Sequence, residues 1–105
     1  MRRINEAIRE VLGAAITTDM KDPRIGFVTV TDVDTSPDLR SARVYVSVLG
    51  SEAERDRTLE GLNSSHGFLQ SRIAGEMRIK RTPTLSFHYD DSVDRGVRIS
   101  RLLEE

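Results

Sequence analysis

The chain has 105 residues, with 16 Lys and Arg against 17 Asp and Glu, two His, no Cys and no Trp. That length suits one compact domain spanning residues 1–105, the lack of cysteine excludes a disulfide framework or a thiolate metal site, and near-neutrality excludes a general polycation. No run approaches the ~18 apolar residues of a membrane span, and the charged first stretch lacks the apolar centre of a signal peptide, so a cytoplasmic protein with no membrane partner is expected.

Ile4, Ala7, Ile8, Val11, Leu12, Ala15 and Ile16 recur at the three-and-four spacing of an amphipathic helix running from Arg2 to Met20. It must stop before Asp22-Pro23, because proline disfavours helical backbone in its predecessor. The β-branched run Phe27 to Val33 reads as a strand. A second strand follows from Ala42 to Leu49, where Ala42, Val44, Val46 and Val48 alternate with Arg43, Tyr45 and Ser47. Ser36-Pro37-Asp38 between them is turn chemistry, so the two are expected to pair antiparallel.

Ser51, followed by Glu52 and Glu54, marks a helix start, and that helix runs to about Ser64. Phe68, Leu69, Ile73 and Met77 carry a second helix to about Ile79, with Gly67 interrupting between the two. Beyond Pro83, Leu85, Phe87 and Tyr89 alternate with Thr84, Ser86 and His88 in a third strand. Asp90-Asp91-Ser92 offers a cap, and Val93, Val97, Ser100 and Leu103 are spaced for a short C-terminal helix. The order is α-β-β-α-α-β-α. Two helices separate the second and third strands, which can therefore lie parallel, giving an α+β fold with a three-stranded mixed sheet and helices on one face.

Catalytic motifs are thin. His66 and His88 fall in no ligand spacing, and His88 is better read as a polar residue on an exposed strand face. Asp32 and Asp34 share a strand face, as a magnesium site needs, but the sequence places no third carboxylate near them, and solvated residues at a strand exit account for them more simply. Glycine-rich phosphate loops are absent. No cofactor is expected.

What remains is a basic segment. Residues 68–81 hold Arg72, Arg78, Lys80 and Arg81 against one acid, Glu76. Ser64, Ser65, His66 and Gly67 precede the helix that carries Arg72. A helix start offers unpaired amides and a positive dipole end, so a phosphate can lodge there while the cations neutralise its neighbours. The competing account is that Gly67 merely ends one helix and the cations form a solvated face. Lys21 and Arg24, with Arg2, Arg3 and Arg9, extend the surface if the fold brings them alongside; ion pairs with Glu6, Glu10 and Asp22 compete for them. Phe27, Phe68, Phe87, Tyr45 and Tyr89 pattern as strand or helix, so most are expected in the core, and shape and phosphate contacts are favoured over base stacking.

Several segments match a known pattern in order: Lys21-Asp22-Pro23-Arg24-Ile25-Gly26, Val28-Thr29-Val30-Thr31, Asp38-Leu39, Val44-Tyr45-Val46-Ser47-Val48, Gly67-Phe68-Leu69, Met77-Arg78, Pro83-x-Leu85-x-Phe87 and Asp90-Asp91-Ser92. Across nearly its whole length the chain resembles bacterial ribosome-binding factor A. The resemblance implies a KH-like domain of the type II order and a non-catalytic role. It implies binding to the small ribosomal subunit (30S) and its 16S rRNA, late assembly and 16S rRNA 5′-end maturation, and greatest importance in the cold. KH domains clamp nucleic-acid backbone with a G-x-x-G loop between two helices. This family carries an Ala-x-Gly kink there, matched here by Ser65-His66-Gly67, with serine in place of the alanine. That serine is free to hold the turn or touch phosphate, and His66 adds charge as pH falls, making binding mildly pH-dependent. Relatives often carry a longer C-terminal tail than this chain, which stops at Glu104-Glu105.

The expected RNA-binding set is therefore Ser65, His66, Gly67, Arg72, Arg78, Lys80, Arg81, Lys21 and Arg24, in a monomer. Two other readings stay open: a protein-interaction module using a sheet edge or the last helix, and a small magnesium-dependent RNA-processing enzyme using Asp32 and Asp34.

Overall fold

The computed structural model describes residues 2–18, 20, 22–79 and 81–90. It contains α1 (Arg2–Thr18), β1 (Val28–Thr35), β2 (Ser41–Val48), α2 (Glu52–Ser64), α3 (His66–Glu76) and β3 (Thr84–Tyr89). The α-β-β-α-α-β order read from the sequence is present. The helix expected from Val93 to Leu103, with Asp91 and Ser92 of its cap, lies outside the described residues, as do Lys21 and Lys80.

The sheet order is β1-β2-β3, with β1 antiparallel to β2 and β3 parallel to it. One face carries the helices. Ile8, Leu12, Ala15 and Ile16 of α1, Leu62 of α2 and Leu69 and Ile73 of α3 are buried with Val33, Ala42, Val44, Val46, Val48, Leu85 and Phe87 of the strands. The other face is polar: Asp32 lies across from Tyr45, which lies beside His88, and Asp34 lies across from Arg43. His88 is exposed there, 2.9 Å from the Ser86 hydroxyl and with its ring 5.8 Å from that of Tyr45.

Several boundaries differ from the sequence reading, each for a local reason. The α1 helix ends at Thr18, before Met20, whose amide winds back to the Ala15 carbonyl at 3.1 Å to close the helix end. The β1 strand continues to Thr35 because the register shifts at Thr31, between the pairs Val30–Val46 and Asp32–Tyr45. This bulge adds one residue to the alternation, so Val28 and Val30 before it and Val33 and Thr35 after it share the inner side. The α3 helix begins at His66 and stops at Glu76, short of Ile79.

The turn from β2 into α2 needs Gly50, whose φ of +137° disfavours any side chain. Beyond it Ser51 and Glu54 form a capping box. Four outward amides on the sheet edges are capped by side chains. On β1, the Val33 amide donates to Asp32 and the Thr35 amide to Asn5 of α1; on β3, the Leu85 amide donates to Gln70 and the Phe87 amide to Asn63. Among the described residues no helix is long and apolar enough to cross a membrane.

Candidate nucleic-acid interface

The joint between α2 and α3 is one residue long. Ser65 sits at φ −99°, ψ 13°, donates its amide to the Gly61 and Leu62 carbonyls, and accepts the Leu69 amide on its own carbonyl. This conformation is open to any residue, so Gly67 is not the interruption that the sequence suggested; it lies inside α3. The Ser65 side chain makes no capping bond to α3. The bend is held from outside. Asn63 reaches β3, accepting the Phe87 amide at 3.0 Å and donating to the Phe87 carbonyl at 3.4 Å, while His66 Nδ1 meets the Asn63 carbonyl at 2.8 Å.

One turn before the bend, Gly61 lets the 22–26 loop pack onto α2. A Cβ there would lie 2.9 Å from Ile25 and 3.3 Å from Arg24, and the neighbouring Thr58 hydroxyl lies 3.3 Å from the Arg24 carbonyl. Arg24 is thus brought within a turn of the bend, but its guanidinium is engaged by Asp22 at 2.7 Å and Glu60 at 3.7 Å. Asp22 also accepts the Arg24 amide at 2.9 Å. Bonds from the Arg24 side chain and amide hold the Asp22 carboxyl below the ordinary value of 3.8, and Asp22 in turn raises Arg24. The unfolded chain therefore takes up this proton more readily. The pair's contribution to stability is complete above about pH 4 and lost as pH falls through the lowered value. Asp22→Asn should flatten the acid limb of a stability–pH curve followed by urea unfolding.

The basic segment is spread out. Arg72 lies midway along α3, 3.9 Å from Glu76. Arg78 is exposed just past the end of α3. Arg81 lies by the strand starts, where its charge helps lower Asp38 after the larger effects of Ser36 and the Arg40 amide. At 1.5 Å per residue, the 11 residues of α3 put about 16 Å between the bend and the far end of the helix. The cations are therefore not gathered at the bend: Arg72 lies midway along α3 and Arg78 past its far end. On α1, Arg2 is paired with Glu6 at 3.5 Å.

The aromatic expectation is corrected. Phe87 is buried, but Phe27 is 81% and Phe68 44% exposed, and Leu49 beside Phe27 is 76% exposed. Phe27 stands one residue outside the first ladder pair, Val28–Val48, and so beyond the end of the sheet. Phe68 is off the Leu69–Ile73 stripe that α3 buries. Asp32 and Asp34 do share the open face, but the Asp32 carboxylate accepts the Val33 amide and Asp34 lies 3.8 Å from Arg43. Among the described residues no three His, Cys, Asp or Glu side chains are grouped to hold a metal. Gly61 and Asn63 were not anticipated; a glycine inside a helix was the available signal for the first, and nothing in the sequence marked the second.

Gly67 occupies the second position of α3 with open space where a Cβ would stand. Gly67→Ala should raise stability by about 0.5–1 kcal/mol through helix propensity, read as a higher melting temperature.

The α-β-β-α-α-β order, the mixed three-stranded sheet and the bend between its paired helices define a KH-like protein of the type II arrangement. More particularly, the chain belongs to the ribosome-binding factor A family, whose model matches residues 1–103. It is similar to the crystal structure of ribosome-binding factor A from Thermus thermophilus, with 26% identity, 84% of this chain and 93% of that chain covered, and a TM-score of 0.75. It is 36% identical to a Thermotoga maritima protein described as a ribosome binding factor A and solved in solution, with 83% of each chain covered and a TM-score of 0.75. A Thermus thermophilus ribosome-binding factor A homology model fitted into a cryo-EM map of its 30S complex matches at 26% identity, 83% and 91% coverage and a TM-score of 0.69.

Proposed function

We propose that this chain binds the small ribosomal subunit through 16S rRNA and assists late assembly and maturation of the rRNA 5′ end without catalysing a reaction. In this reading it is a cytoplasmic monomer forming a single domain over residues 1–105, and its role weighs most in the cold. The observation that carries the reading is the likeness, over 83% of this chain and 91% of the other, to a relative fitted into a 30S complex. The α2–α3 bend of Ser65, His66 and Gly67 receives RNA backbone at the first-turn amides of α3, for which a helix has no internal acceptor. Arg72, Arg78, Lys80 and Arg81 meet phosphates along and beyond α3. Lys21 and Arg24 extend the footprint past Gly61, with Arg24 exchanging part of its hold on Glu60 for RNA.

Binding of this kind favours one rRNA arrangement by differential affinity, with no bond made or broken. Cosedimentation with mature and immature small subunits across a salt series tests it. The protein should favour the immature particle, and its affinity should fall with salt by roughly 0.7 log units per log unit of salt for each single-stranded phosphate neutralised. Equal or absent binding would overturn the reading. Precursor RNA incubated with pure protein and magnesium should remain intact; cleavage that Asp32→Asn abolishes would establish the enzymatic alternative instead.

A further inference from the structure

At the bend, one imidazole has its hydrogen-bonding sense set by its neighbour. A backbone carbonyl only accepts, so the 2.8 Å contact between His66 Nδ1 and the Asn63 carbonyl places the proton on Nδ1. In the neutral ring Nε2 is then an acceptor. His66 is exposed, and its anchor is itself held, because the Asn63 side chain is bonded to both backbone groups of Phe87. The ring is therefore anchored to the end of α2, at a residue that itself grips β3.

An acceptor is the wrong partner for phosphate, whose oxygens in a nucleic-acid backbone are acceptors too. It is the right partner for a ribose 2′-hydroxyl, a donor that accompanies the phosphates of RNA and is missing from DNA. Resting on the reading that RNA backbone crosses this bend, we infer that His66 reads the sugar: Nε2 accepts a hydrogen bond from a ribose 2′-hydroxyl, and preference for RNA over DNA depends on it. The neighbouring first-turn amides and Arg72 supply attraction common to both polymers, and His66 supplies the discrimination.

The test uses the full chain at pH 8, with a short unstructured RNA, its 2′-deoxy counterpart and a 2′-O-methyl version, followed by fluorescence anisotropy. One hydrogen bond corresponds to about a five- to tenfold preference for RNA over either analogue. His66→Ala should bring the RNA-to-DNA ratio close to one, and His66→Gln, whose side-chain oxygen also accepts, should keep most of the preference. Melting curves of both variants check that they fold. An RNA preference unchanged in His66→Ala, or a 2′-O-methyl strand bound as well as RNA, overturns the inference while leaving the RNA-binding reading in place. If no strand binds, or Arg72→Glu leaves all affinities unchanged, the reading beneath it fails and the inference goes with it.

Discussion

Reversing Arg72 and Arg78 to glutamate together should weaken association with the small subunit about a hundredfold, at roughly tenfold for each phosphate no longer neutralised. Arg72 is half-buried along α3 and paired with Glu76, and Arg78 is exposed past its end. The pairing with Glu76 does not oppose binding, since an ion pair of this exposure is worth little and RNA phosphate can replace the carboxylate. The salt dependence of the variant should be shallower by about 0.7 for each of those phosphates if the strand is unpaired. Sedimentation with immature subunits at two salt concentrations reads both quantities. Association that survives the double reversal with its salt dependence intact would mean that the partner is held elsewhere, as the protein-interaction reading requires.

Leu62→Ala should cost about 2–5 kcal/mol of unfolding free energy, a large share of the roughly 5–15 kcal/mol by which domains of this size are stable. Leu62 has no exposed surface and lies between Gly61, which admits the 22–26 loop, and Asn63, which grips β3. The methyls it loses are those that seat the end of α2 against the sheet. Urea unfolding should show a lower midpoint with little change in slope. Amide exchange at Leu85 and Phe87, whose donors are held from Gln70 and Asn63, should accelerate with it.

Periodicity made the elements legible and left their joints obscure. The α1 stripe and the alternation in β2 and β3 encode burial directly, so helix and strand types follow from residue spacing. At Thr31 the alternation slips by one, and a reading in steps of two loses the strand beyond Val33; the bulge becomes visible only once β2 supplies the register. At the bend a glycine drew attention because glycine often breaks helices, while the break itself sits at Ser65 in a conformation that asks nothing special of its side chain. The basic segment was legible as a charge excess, and the placing of its cations in the fold was not. Residues 68–81 are close in sequence, but a helix converts that proximity into length, so Arg72 lies within α3 and Arg78 past its end. The ties of Asn63 to Phe87 and of Thr58 to the Arg24 carbonyl are contacts between elements that a single sequence does not mark, whereas the Arg24–Asp22 pair joins residues two apart and was among the ion pairs weighed from the sequence.

The side-chain bonds at Val33, Thr35, Leu85 and Phe87 have a consequence for behaviour at high concentration. A strand on the rim of a sheet is a template for another polypeptide, and these outward donors would be its first points of attachment. Each is engaged by an oxygen from Asn5, Asp32, Asn63 or Gln70. A passing extended chain must displace those groups before it can pair, which hinders the stacking that leads to fibrils.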